Sequence, residues 1–229
     1  MHRVSTAARL LPVSVPRAAS GAVLVLHGGA AREEGALVSP AQLSVLRMVP
    51  VARRLARAGR GRLAVYRLLN SRRGWDARLS PLADVRWALD QLRERHGTLP
   101  VALVGHSLGG RAALLSAGEP EVGVVVALAP WVYADDGTKV DPSGCRILAV
   151  HGSEDRVSDL GRTVRVMDAL RRRTQAGLVL VEGGRHGMIR RRGRFEGLAA
   201  DFVTAALLDR PPREDAVRAI LSGAARVEV

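Results

Sequence analysis

Three residues far apart in the chain have the types and settings that nucleophilic chemistry needs: Ser107, Asp155 and His186. Ser107 sits in Gly105-His106-Ser107-Leu108-Gly109, a turn between the apolar run Val101 to Val104 and a stretch rich in Ala and Leu. In a G-x-S-x-G elbow the serine backbone is strained. Strand and helix pass so close that side chains two residues before and two after would collide, so both positions are glycine. Asp155 ends His151-Gly152-Ser153-Glu154-Asp155, just past the apolar run Ile147 to Val150. His186 lies in Glu182-Gly183-Gly184-Arg185-His186-Gly187, just past Leu178 to Val181. A hydroxyl becomes a nucleophile when an imidazole takes its proton, and a carboxylate holds that imidazole in the productive tautomer. In an open parallel sheet, loops past the strand ends converge on one edge, where ligands bind. The three groups should meet there.

Glu154 rivals Asp155. Neighbouring side chains near a strand end point to opposite sides, so the two cannot both face His186, and the spacing after His151-Gly152 favours Asp155. The other histidines are less suited to act as base: His2 is terminal, His96 ends a helix, and His27, His106 and His151 occupy motif positions where structural roles are usual. No pair of histidines has the short spacing of a metal site on one helix face, so no metal is expected. Acyl transfer also builds charge on a carbonyl oxygen, which needs two N–H donors already in place. Leu108, next to the serine, supplies one. The loop Val23-Leu24-Val25-Leu26-His27-Gly28-Gly29-Ala30 offers the other, from Gly29 or Ala30, with Gly29 favoured. Ala30, Trp131 and Tyr133 are candidates for a substrate pocket, although Trp131 packing on the sheet edge fits the sequence equally well.

The elements that must position these groups are legible as periodicity. Six apolar runs read as strands: Ala22 to Leu26, Leu63 to Leu68, Val101 to Val104, Val122 to Leu128, Ile147 to Val150 and Leu178 to Val181. They are rich in Val and Leu without polar alternation, as in a parallel sheet covered on both faces. Helical patterns lie between them, at about 40–58, 81–96, 108–118, 158–174 and 194–208, with Ser80-Pro81 and Ser158 as start signals. The alternation predicts an α/β architecture with a mostly parallel sheet of about six strands and helices on both faces. The first twenty residues read as an irregular segment or an edge strand, and 210–229 as a C-terminal helix centred on Pro212 to Ala225. The whole of 1–229 is expected to form one domain.

Composition bounds the function. The 229 residues are 47% hydrophobic and 25% charged, enough for a substantial core. No apolar run approaches the length of a membrane span, and the N-terminus lacks a secretory apolar core. One cysteine, Cys145, is compatible with a reducing compartment, so the cytoplasm is the expected location. The formal charge of +13 looks at first like a nucleic-acid signal. Lys139, however, is the only lysine among 35 basic residues, a skew typical of GC-rich coding, and the arginines are scattered. Two Phe and two Tyr make no base-stacking platform. Specific nucleic-acid binding and membrane association are therefore not expected.

With His27-Gly28-Gly29, Gly105-His106-Ser107-Leu108-Gly109-Gly110, His151-Gly152-Ser153-Glu154-Asp155 and Arg185-His186-Gly187 in the order serine, acid, histidine, the chain resembles the α/β-hydrolase superfamily over most of its length. Within it the resemblance is to small dienelactone-hydrolase-like and esterase-like members. It implies a serine hydrolase with Ser107, Asp155 and His186 as triad, acting on a small-molecule acyl substrate without a cofactor. The chain departs from many such proteins in having too few residues between Pro130 and Cys145 for a cap. It also lacks the cysteine nucleophile of true dienelactone hydrolases. Small or accessible esters or thioesters are the expected substrates. An acyltransferase or peptidase with the same triad and a noncatalytic binding scaffold are the alternatives, and the oligomeric state is open.

Overall fold

The computed structural model describes residues 7–29, 38–75 and 79–229. Among them, eight strands form one sheet: β1 (Arg9–Ser14), β2 (Gly21–Leu26), β3 (Leu63–Leu69), β4 (Val101–His106), β5 (Val122–Leu128), β6 (Arg146–Gly152), β7 (Ala176–Val181) and β8 (Arg226–Glu228). Their order is β1-β3-β2-β4-β5-β6-β7-β8. Only β1, paired with β3, runs antiparallel.

The six inner strands are the six apolar runs, and burial explains why those runs do not alternate. Along β2, Ala22, Leu24 and Leu26 enter one core cluster while Val23 and Val25 enter the other. Each face of the sheet is thus a core. One is closed by α3 (Ser80–His96), α4 (Leu108–Leu115) and α5 (Leu160–Arg171); the other by α2 (Met48–Gly59), α6 (Arg192–Leu208) and α7 (Asp215–Leu221). The helical stretch expected over 40–58 is broken after α1 (Leu43–Leu46). Its second half turns Met48, Val51, Ala52 and Leu55 onto the sheet.

One edge fits one of the two readings of its sequence, and the other departs from the expected helix. The N-terminal segment is an edge strand, and its register shifts between Pro12 and Ser14. Pro12 is tolerated because an edge leaves one side of the strand without ladder partners. At the other edge the expected C-terminal helix stops at Leu221. Gly223 takes a positive φ of 103°, and the chain returns as β8 beside β7, with Val227 against the core. Helical periodicity is a poor guide to a three-residue polar-apolar-polar strand that pairs on one side only.

Between β5 and β6 the chain makes only a single 3-10 turn (Asp136–Thr138), so no cap is inserted there. Cys145, just before β6, is buried, and burial pushes its thiol up to about 12, far from a reactive thiolate. No helix among the described residues is long and apolar enough to cross a membrane.

Candidate active site

The turn after β4 makes the elbow. Ser107 has φ 56° and ψ −120°, a strained conformation for a residue with a side chain. A Cβ on Gly105 would run into the Gly109 carbonyl, and one on Gly109 into the carbonyls of Leu26 and His27. The two glycines let α4 leave directly over the strand end.

Three parallel strand ends bring the sequence-predicted groups together. The Ser107 hydroxyl donates to His186 Nε2 at 3.0 Å, and His186 Nδ1–H donates to Asp155 Oδ2 at 2.9 Å. The other Asp155 oxygen accepts the N–H groups of Val157 (2.8 Å) and Ser158 (2.9 Å). Burial works to raise the Asp155 pKa. The bonds from His186, Ser158 and Val157 outweigh it and hold the carboxyl below its usual range. Glu154 turns the other way, exposed, to pair with Arg185 at 3.0 Å.

Two further side chains hold His186. Ser158 Oγ donates to the Ala129 carbonyl at 3.2 Å and lies 3.2 Å from His186 Nδ1. His106 Nε2–H donates to the His186 backbone carbonyl at 2.8 Å, with the two rings 4.9 Å apart. Burial, aided by the nearby His186 and Arg47, brings the His106 pKa down to about 3, so this imidazole stays neutral. Sequence reading took Ser158 only as a helix start and His106 only as a motif residue, since nothing local reveals a bond across about 80 residues of chain.

His27 secures the loop that faces the serine. Its Nδ1–H donates to the Gly28 carbonyl at 2.6 Å, and its Nε2 accepts the Asn70 N–H at 3.2 Å. A Cβ on Gly29 would strike the Arg73 carbonyl, so only glycine lets this loop close down. Gly29 and Leu108 line the cleft with Ser107, and neither N–H has an acceptor among the described residues. The alternative donor and pocket candidate, Ala30, lies outside those residues.

The cleft is about 320 Å³, and Trp131 and Val157 form part of its wall. Trp131 is fixed by its N–H bond to the Ser107 carbonyl (3.1 Å). Tyr133, expected to line the pocket, is not among the residues that line this cleft. Its ring meets Trp131 edge-on at 5.1 Å and covers the Arg111 guanidinium at 4.5 Å. Arg111 is buried between that ring and Trp75 (4.2 Å), and its Nε is 2.7 Å from Asp136 Oδ2. Three or more His, Cys, Asp or Glu side chains grouped to hold a metal ion do not occur among the described residues.

A serine hydroxyl, an imidazole, a carboxylate and two N–H groups without an acceptor among the described residues, gathered at one strand edge, are the kinds of group that acyl transfer uses. No family model matches the chain, and no curated protein matches it. Solved structures do match its fold. An α/β serine hydrolase without lid from Xanthomonas campestris aligns over 90% of this chain and 98% of its own, at 19% identity and a TM-score of 0.64. A ferulic acid complex of Est1E from Butyrivibrio proteoclasticus aligns over 88% and 96%, at 13% identity and a TM-score of 0.68. An α/β serine hydrolase homologue from Coxiella burnetii aligns over 84% and 90%, at 15% identity and 0.64. The chain shares its fold with these structures, among them the α/β serine hydrolase without lid.

Proposed function

We propose that the protein is a serine hydrolase that cleaves small or accessible carboxylic esters or thioesters through an acyl-enzyme. The observation that carries this reading is the unbroken hydrogen-bonded line from Ser107 Oγ through His186 to Asp155, beside the free N–H groups of Leu108 and Gly29. Ser107 Oγ attacks the acyl carbon as His186 Nε2 takes its proton, and the two N–H groups receive the oxyanion. The imidazolium, stabilised by Asp155, then protonates the leaving alcohol or thiol. Water enters, loses a proton to His186 and attacks the ester on Ser107. The acid leaves and the serine regains its proton. The single, buried cysteine suits a cytoplasmic setting.

A fluorophosphonate probe should label wild-type protein and not Ser107→Ala, and para-nitrophenyl acetate or butyrate should be turned over by the wild type alone. An unlabelled, inactive wild type would leave a binding scaffold as the better reading.

A further inference from the structure

Arginine is everywhere in this chain, and several arginines around the site have acidic partners. Arg185 pairs with Glu154 (3.0 Å), Arg192 with Glu196 (3.0 Å), and Arg111 with Asp136 (2.7 Å). Arg47 differs from these in being the arginine among the residues that line the Ser107 cleft. It joins α1 to α2, is half-buried, and lines the same cleft as Ser107 and His186, yet it has no acidic partner among the described residues. One of its guanidinium nitrogens lies 3.5 Å from where a Cβ on Gly187 would sit, which places the head group beside the residue that follows His186. Ser44, one turn earlier, lines the cleft too, and its hydroxyl likewise has no partner among the described residues. A half-buried cation without a counterion is costly to hold, and a charged hydrogen bond to a ligand relieves that cost.

Resting on the hydrolase reading above, we infer that Arg47, with Ser44, binds a carboxylate carried by the substrate, so that the preferred esters are anionic. Arg47 is a specificity residue here: it binds a remote part of the substrate and leaves the bonds that change to Ser107 and His186. The guanidinium offers a planar fork to both carboxylate oxygens, and the Ser44 hydroxyl is a further donor.

Matched esters test this with the charge on either arm. The monoanionic para-nitrophenyl adipate is compared with para-nitrophenyl hexanoate, and para-acetoxybenzoate with its methyl ester. The ratio of variant to wild-type kcat/KM on each ester cancels differences in intrinsic reactivity. Arg47→Gln should lower kcat/KM about tenfold or more on at least one anionic ester, mainly through KM, and change the neutral partner by less than about twofold. Arg47→Lys should recover part of the loss, because the charge returns without the fork. Added salt should slow the anionic ester selectively in the wild type. Equal losses on both members of each pair, or none on either anionic ester, overturn the assignment while turnover of the neutral esters leaves the hydrolase reading intact. If Ser107 is neither labelled by the fluorophosphonate nor active on any ester, both readings fall.

Discussion

At the scale of single residues, the site depends on which hydrogen-bond partner each atom meets. His186 needs a carboxylate at Nδ1 so that its Nε2 lone pair faces Ser107. Asp155→Asn should keep the fold but offer the wrong partner, with a rate loss on the order of 10⁴. Glu154→Gln, which disturbs only an exposed pair with Arg185, should cost less than about tenfold. Steady-state rates with parallel melting curves separate lost activity from lost structure, and a dead Glu154→Gln beside an active Asp155→Asn would move the acid one residue earlier.

His106 makes a residue-scale prediction about stability. Its folded pKa of about 3 lies below the ordinary value of about 6.5, so the unfolded chain takes up the proton first. The stability due to this neutral imidazole is complete above about pH 6.5 and is lost as pH falls toward 3. Between about pH 6.5 and 5 that loss should be about 2 kcal/mol. Urea unfolding at those two pH values should show the loss in wild type and a smaller one in His106→Gln, whose amide can still donate to the His186 carbonyl. An identical pH dependence in both would exclude His106 as its source.

At the scale of elements, the loop after β5 that carries Trp131 is tied to α4 by a buried ion pair as well as by the Trp131 N–H bond to Ser107. Asp136 accepts from Arg111 on α4, from the Tyr133 N–H (2.9 Å) and from Lys139 (3.1 Å). Burial alone would raise the Asp136 pKa, yet these donors bring it below the usual carboxylate range. Asp136→Ala strands a buried guanidinium and should destabilise by about 3–5 kcal/mol, with KM rising as Trp131 loses its support. Pairing Arg111→Met with Asp136→Leu should recover most of that stability, because the pair's worth is largely offset by its desolvation. Denaturant titration of the singles and the double gives the coupling directly. An Asp136→Ala protein as stable as wild type would show that the loop is held by its aromatic contacts instead.

At the scale of the molecule, the excess of arginine also lines a hollow separate from the Ser107 cleft. Arg54, Arg57, Arg60, Arg210 and Arg213 line a hollow of about 310 Å³ between α2 and α6, where Asp201 and Glu214 offset part of the charge. Burial, with Arg62, Arg60 and Arg213 close by, lowers the Arg210 pKa. Without an aromatic platform this surface should hold DNA weakly and without sequence preference, and release it by about 200 mM salt. Retention that distinguishes sequences, or survives such salt, would contradict that expectation.

The inner strands, the helices between them and the glycine-flanked elbow were written locally, because a strand buried on both faces and a serine squeezed between strand and helix each demand particular residue types in a row. The meeting of Ser107, Asp155 and His186 followed, since parallel strand ends must open on one edge. Tertiary structure alone decided what depended on partners distant in sequence. It turned Asp155 inward and Glu154 out to Arg185, and it tied Ser158 and His106 to His186. It drew Tyr133 onto Arg111 and out of the cleft, made strands of the two edges, and left Arg47 beside the nucleophile without a counterion among the described residues. A chain can specify its own periodicity residue by residue. Which polar group finds a partner, and which is left for a ligand, is settled only when segments far apart in sequence are packed against one another.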